Sequence, residues 1–107
     1  MHKKQRKELD GLWKKQALKR AGKKCEKCGS DKYVQVHHII PRTNYRLRWD
    51  LENAVCLCRK HHLYWAHKDA REFSMWIDGL RDTNYLDTTR HFQGKQDYFL
   101  LKKHLEG

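Results

Sequence analysis

The stretch His37–His62 reads HHIIPRTNYRLRWDLENAVCLCRKHH, and it decides the fold of this 107-residue chain. Cys25 and Cys28 stand upstream with two residues between them, the same spacing that separates Cys58 from His61. Together these cysteines and histidines exceed the four ligands that one closed tetrahedral zinc site uses. The surplus predicts a second site that is built from the remaining histidines.

Two ligand pairs bracket the predicted hairpin, and each pair can reach the same tetrahedral ion from a tight turn. We therefore predict a structural zinc ion on Cys25, Cys28, Cys58 and His61. Cys56 competes with Cys58, but the side chains of a Cys-x-Cys pair on a strand point to opposite faces. We expect Cys56 to be a small buried residue.

Composition favours a polyanionic partner, because 24 Lys and Arg residues stand against 13 Asp and Glu residues, for a net charge of +11. A soluble basic protein without such a partner is the alternative. The basic stretches lack an extended apolar face, which argues against membrane binding. The polar N-terminal residues do not read as a secretory signal, so we expect the reducing cytoplasm, where zinc is favoured over disulfides.

The length of 107 residues allows one small domain over residues 1–107, and hydrophobic periodicity predicts both helices and strands in it, an α+β fold. Its parts are an N-terminal helix over 5–21, a zinc-bound ββα core over 22–67 and a C-terminal helical extension over 68–107. The predicted core elements are strands over 33–36 and 52–57 and a helix from Arg59. The predicted extension elements are a helix over 69–80 with Phe73, Trp76, Ile77 and Leu80 on one face, turns in 82–95, and a helix over 95–105 with Phe99, Leu100 and Leu101 inside.

A second centre is predicted from His37, His38 and His62. Adjacent strand residues face opposite ways, so one histidine of the pair is expected to bind a metal and the other to do acid–base work. His62 follows a zinc ligand at a helix start and can turn into the same cleft. Asn53 can bridge backbone groups of the hairpin through its amide. His67, five residues after His62, falls off its helical face and is expected to be an auxiliary ligand at most.

Four segments together resemble the HNH endonuclease family, whose core is the ββα-metal fold. The segments are CEKCG at 25–29, VHHIIP at 36–41, ENAV at 52–55 and LCRKHH at 57–62. The resemblance implies that His38 is the general base that activates water and that His37 and His62 bind the catalytic ion. It also implies that Asn53 orients the loop of the base. The flanks, around 48–50 and 72–77, are similar to small phage-associated HNH proteins.

Two departures from the family pattern bear on the metals. His37 stands where many members have Asp, and an imidazole favours Mn²⁺, Ni²⁺ or Zn²⁺ over Mg²⁺ as the catalytic ion. His61 stands where many members have Cys, which keeps a tetrahedral zinc site but leaves open whether His61 or His62 binds it.

The resemblance implies a metal-dependent endonuclease that cuts DNA, expected to be double-stranded, and leaves 3′-hydroxyl and 5′-phosphate ends. Nothing in the sequence resembles a base-reading module, so nicking or weakly specific cleavage is expected. Candidate phosphate contacts are Arg42, Arg46, Arg48, Arg59 and Lys60. Two alternatives stay open: a zinc-ribbon-like nucleic-acid-binding module without catalysis, and an accessory nuclease for packaging or recombination. The second would act only with a partner such as a phage terminase, in a bacterial or phage-infected cell.

Overall fold

A computed structural model describes residues 1–107 as an α+β domain, which confirms the predicted fold class. The elements in chain order are α1 (Lys3–Arg20), β1 (Gln35–His38), a 3₁₀ turn (Leu51–Asn53), β2 (Ala54–Leu57), a π-helix (Lys60–Ala66), α2 (Ala70–Leu80), α3 (Thr83–Thr89) and α4 (Tyr98–Glu106). None of the helices combines the length and apolar character that crossing a membrane requires.

Both ends of α1 have well-defined caps. At the start, the His2 ring accepts the Gln5 backbone N–H, and the Gln5 side chain accepts the His2 N–H in return. At the end, Gly22 takes a φ of 67°, which a side chain disfavours, and the Lys23 N–H reaches the Leu18 carbonyl at 2.8 Å. This is the closing pattern of a Schellman motif. The predicted helix stop at Gly22 is confirmed.

The antiparallel hairpin of β1 and β2 lies between two helical layers, and side-chain alternation assigns its faces. Val36 pairs with Cys56 and His37 pairs with Val55. One face packs on α1 and α4 in a core formed by Leu9, Trp13, Ala17, Trp49, Ala54, Cys56 and Leu105. The other face packs on the π-helix and α2 in a core formed by Cys25, Val55, Leu57, Cys58, Ala66, Phe73 and Ile77. Two cores of seven buried residues are small, so a metal ion bound by the cysteines of the second core would add stability.

A buried ion pair joins the Cys25–Cys28 turn to the end of α2. Glu26 accepts the Arg81 guanidinium at 2.6 Å with one oxygen and the Cys56 N–H at 2.7 Å with the other. Arg81 also donates to the Ala54 carbonyl at 3.1 Å. Because these hydrogen bonds satisfy both charged groups, the pair escapes the penalty of an unpaired buried charge.

The structure corrects several predicted boundaries. Strand β1 begins at Gln35 and not at Tyr33, because Tyr33 has a φ of 53° that no strand accommodates. The region predicted as turns contains α3, which Asp82 caps by accepting the Tyr85 N–H. Asp, Thr and Asn are common both in turns and at helix N-termini. Residues 82–84 form the N-terminus of α3.

The prediction for the inner face of the last helix was wrong in part. Phe99 is 75% exposed and Leu100 is 67% exposed, whereas Leu105 is fully buried against α1. Leu101 is half-buried, as is Tyr98 at the start of the helix. Tyr98, Leu101 and Leu105 recur at helical spacing and form the inner face, so Phe99 and Leu100 lie on the exposed side of the helix.

Candidate metal centres and catalytic histidine

Three cysteines and one histidine converge where the turn after α1 meets the start of the π-helix. Their ligand atoms, on Cys25, Cys28, Cys58 and His61, all lie within 4.8 Å of one another. The Sγ atoms of Cys28 and Cys58 are 3.7 Å apart, and Nδ1 of His61 lies 3.2 Å from Sγ of Cys58 and 3.8 Å from Sγ of Cys25. Gly29 has a φ of 78°, which lets the chain turn sharply after the second cysteine.

These separations fit a tetrahedral zinc ion. Zn–S bonds of ~2.3 Å and Zn–N bonds of ~2.0 Å place the ligand atoms of a tetrahedron roughly 3.3–3.8 Å apart. Burial raises the pKa of Cys25, but hydrogen bonds from the backbone N–H groups of Cys58, Cys28 and Lys27 together outweigh it and lower the pKa, which favours the thiolate that binds metal. The cluster can therefore bind a structural zinc ion.

Cys56 lies outside this cluster, as strand alternation predicts. It sits on the α1 face of the hairpin, where its thiol donates to the Ala17 carbonyl at 3.4 Å. Burial raises the pKa of this thiol to about 11, so Cys56 stays neutral and does not offer a thiolate to metal.

A second cluster consists of His37, His62 and His67, whose ring nitrogens also lie within 4.8 Å of one another. The amide oxygen of Gln35 accepts the Nδ1–H of His62 at 2.8 Å, so the Nε2 lone pair of His62 faces the cluster. That atom is only 3.4 Å from Nε2 of His67. Two ring nitrogens at this distance can share a proton or bind a common cation, and ~3.4 Å is the edge of a tetrahedron of Zn–N bonds.

Burial and neighbouring charges favour the neutral forms of His37 and His62, because they lower the pKa of both. Burial, reinforced by the charges of His62, His67 and His38, lowers the pKa of His37 to about 4. Burial and the charge of His67 lower the pKa of His62 as well. A neutral imidazole is the form that ligates metal, so near pH 7 these side chains are ready to bind one.

The expectation that His67 falls off the face of His62 was wrong, and the helix type explains why. Lys60–Ala66 is a π-helix, whose hydrogen bonds join residues five apart, so positions 62 and 67 lie above one another. In an α-helix the residue above His62 would be Ala66. The sequence analysis also missed the role of Gln35 in orienting His62. The available signal was its position on β1, two residues before His37 and therefore on the same face of the strand.

His38 lies on the opposite face of the hairpin, beside α1. Its ring stacks on Trp13 with centroids 4.0 Å apart and planes at 11°. Its Nε2 donates to the Arg48 carbonyl at 3.0 Å, because a carbonyl can only accept. The neutral ring therefore has its lone pair on Nδ1, and burial lowers the pKa of His38 so that this form prevails at neutral pH.

Asn53 is fully buried and bridges the loop that follows β1. Its side-chain oxygen accepts the Ile40 N–H at 2.7 Å, and its amide nitrogen donates to the Ile40 and Leu47 carbonyls at 2.9 and 3.1 Å. The loop so held leads directly to Arg48, whose carbonyl anchors His38. Asn53 thus positions the loop next to the candidate base.

The structure argues against one of the five predicted phosphate contacts, the one assigned to the Arg48 side chain. Its side chain is buried and forms a two-pronged ion pair with Asp10 at 2.9 and 2.7 Å. Asp10 also accepts the Trp49 indole N–H at 2.8 Å. The other four side chains, Arg42, Arg46, Arg59 and Lys60, are exposed.

The structure has an antiparallel hairpin followed by a short helix. One metal-ligand cluster lies at the Cys25–Cys28 turn, and the second lies between β1 and the helix. This arrangement defines the ββα class of metal-binding domains. The model of the HNH endonuclease family matches residues 25–63, which span the Cys25–Cys28 turn, the hairpin and the first half of the π-helix. This match supports a nuclease-type activity in general, and the HNH family implies a DNA substrate. No curated protein and no solved structure matches the chain.

Proposed function

We propose that this protein is a metal-dependent endonuclease that hydrolyses DNA phosphodiester bonds, with His38 as the general base. The observation that carries the proposal is that two neighbouring histidines on one strand lie on opposite faces of the hairpin. His37 joins a three-histidine cluster on one face, and His38 presents a free Nδ1 on the other face at the same end of the hairpin.

In the proposed reaction, Nδ1 of His38 takes a proton from the attacking water. The resulting imidazolium is stabilised by its Nε2–H bond to the Arg48 carbonyl. Stacking on Trp13 fixes the plane of the ring, so Nδ1 keeps its direction during the transfer. The lowered pKa of His38 keeps the base unprotonated at neutral pH, which general-base catalysis requires.

His37, His62 and His67 are the proposed ligands of the catalytic ion. A divalent cation held there would offset charge on the scissile phosphate and on the departing 3′ oxygen. All three ligands are imidazoles, which supports Mn²⁺, Ni²⁺ or Zn²⁺ over Mg²⁺. Cys25, Cys28, Cys58 and His61 are the proposed ligands of a separate structural zinc.

The proposed product ends are a 3′-hydroxyl and a 5′-phosphate, as the family resemblance implies. Exposed Arg42, Arg46, Arg59 and Lys60 support contact with the phosphate backbone, which gives affinity without sequence choice. Nicking or weakly specific cleavage is accordingly proposed. The resemblance of the flanks to small phage proteins supports action in the cytoplasm of a bacterial or phage-infected cell, alone or with a packaging or recombination partner.

The decisive experiment is plasmid cleavage by the zinc-loaded protein with Mg²⁺, Mn²⁺ or Ni²⁺ added singly. We expect nicked circles with the wild type and a loss of at least 100-fold in rate for His38→Ala, within the range that a general base contributes. His91→Ala, at an exposed histidine outside both clusters, is the matched control and should cleave like the wild type.

Equal cleavage by the His38→Ala variant would refute the assignment of the base. DNA binding without cleavage under any ion would instead favour the non-catalytic zinc-ribbon-like module. Cleavage that appears only after a host or phage extract is added would favour the partner-dependent nuclease.

A further inference from the structure

A cavity of about 480 Å³ opens between the first two turns of α1 and the loop after β1. Four cationic side chains, Lys3, Arg6, Lys7 and Arg42, line it together with the Asp10–Arg48 ion pair. We name this feature the cationic groove. It lies outside residues 25–63 except for the loop residues, so the family match assigns it nothing.

The fold offers these cations few partners: Arg6 donates to the Met1 carbonyl at 2.8 Å, and Arg42 lies 3.8 Å from Asp10. The N-terminus of a helix carries a partial positive charge, so cations there weaken the helix. The first turn of α1 contains no acidic residue to offset them. Asp10, the one carboxylate in the groove, is already engaged by Arg48 and Trp49. The four cations share a single carboxylate, so the groove has an excess of positive charge that an external anion could compensate.

The groove lies on the same face of the hairpin as His38. Arg48 joins the two, because its guanidinium binds Asp10 at the floor of the groove and its carbonyl accepts the Nε2–H of His38. Arg42 reaches the same carboxylate, at 3.8 Å, and its side chain is 65% exposed. A chain of phosphates in the groove would thus pass alongside the candidate base.

The spacing of the cations suits a nucleic-acid backbone. Four residues of α-helix rise ~6 Å, and one strand of duplex DNA presents a phosphate every ~3.4 Å of helix axis. The row from Lys3 to Lys7 therefore spans about two phosphates of a strand. From this geometry we propose that the cationic groove binds the backbone of duplex DNA next to the scissile phosphate. This inference rests on the proposed function in taking DNA as the substrate.

The test is binding of a fluorescein-labelled 20-base-pair duplex to the zinc-loaded protein, measured by anisotropy from 50 to 200 mM NaCl without added catalytic ion. The groove variant is Lys3→Gln with Arg6→Gln and Lys7→Gln. We expect the slope of log K against log [NaCl] to fall in magnitude by about 2–3, at ~0.9 for each lost phosphate contact. Affinity at 0.1 M NaCl should fall roughly 10- to 100-fold.

The matched control removes the same charge from the same helix: Lys4→Gln with Lys15→Gln and Lys19→Gln. These three lysines are exposed and are not among the residues that line the groove. The control should change the slope by less than about 1. Equal losses in both triple variants would overturn the proposal, because net charge alone would then explain the binding.

A single variant guards against a misfolded helix. Arg42→Gln leaves α1 intact and should lower the slope by about 1, and no change would count against the groove. The binding readout also separates two failures. DNA bound through the groove but never cleaved would refute the nuclease proposal alone, whereas cleavage with wild-type binding in the groove variant would refute the groove alone.

Discussion

Replacing Asn53 with alanine should destabilise the domain and disable the candidate base together. The change removes three hydrogen bonds from a fully buried side chain, two to Ile40 and one to Leu47. The Leu47 carbonyl keeps a partner, because it also accepts the Asp50 N–H at 3.1 Å. The N–H and carbonyl of Ile40 lose the partner that Asn53 supplied.

The magnitude follows from those two Ile40 groups. A buried polar group left without a partner costs about 1–3 kcal/mol, so the free energy of unfolding should fall by about 3 kcal/mol. That is a large share of the ~5–15 kcal/mol typical of a domain. For a chain of this size it corresponds to a drop of roughly 15 °C in the midpoint of thermal unfolding.

The assay is urea unfolding of the zinc-loaded protein, followed by plasmid cleavage at a temperature where the variant is folded. Asn44→Ala is the control: the half-buried Asn44 side chain donates to the exposed Arg90 carbonyl and accepts the Leu47 N–H, which keeps its bond to the Asn44 backbone carbonyl at 3.2 Å. We expect a loss below ~1 kcal/mol for Asn44→Ala and near-normal cleavage. If Asn53→Ala loses no more than Asn44→Ala, the buried amide does not hold the loop and the reasoning is refuted.

Four further predictions concern the two metal sites, the pH dependence of cleavage and the thiol of Cys56. His67→Ala should weaken Ni²⁺ binding at least tenfold by isothermal titration, whereas His91→Ala should not change it; equal affinity in both would exclude His67 as a ligand. A chelator strong enough to take the zinc, or Cys28→Ser, should lower the thermal midpoint, and an unchanged midpoint would contradict a structural zinc. Because burial lowers the pKa of His38, the acid limb of kcat/KM should fall below pH 6.5, and a limb above pH 7 would argue against His38 as base. Cys56 should resist iodoacetamide at pH 8 until the protein unfolds, since its thiol is buried with a pKa of about 11; rapid labelling of native protein would contradict this.

Local patterns predicted much of the site because they depend on residues close in sequence. The x2 spacing of each ligand pair predicted the cluster of Cys25, Cys28, Cys58 and His61, and the structure brings all four together. Strand alternation separated Cys56 from that cluster. The same alternation predicted opposite directions for the two histidines of β1, whose partners lie on opposite faces of the hairpin.

What sequence patterns missed depends on hydrogen-bond register and on distant partners. Periodicity assumes α-helical geometry, so it placed His67 away from His62, whereas the π-helix aligns them. In the sequence, Arg48 looks like the exposed Arg42 and Arg46 of the same loop. Its partner Asp10 is 38 residues away in the chain, so no local pattern indicates the ion pair. The Glu26–Arg81 pair spans 55 residues and has no local signature.

The sequence by itself determined the Cys3His cluster, the hairpin and the faces of the strand residues, because turn spacing and the two-residue period of a strand are properties of the local backbone. Tertiary structure alone decided the surroundings of His38. Packing of α1 against the hairpin sets Trp13 on the His38 ring and binds Asp10 to Arg48, the residue whose carbonyl fixes the proton on Nε2. Those contacts join segments far apart in the chain, and only the burial of a common core brings them together.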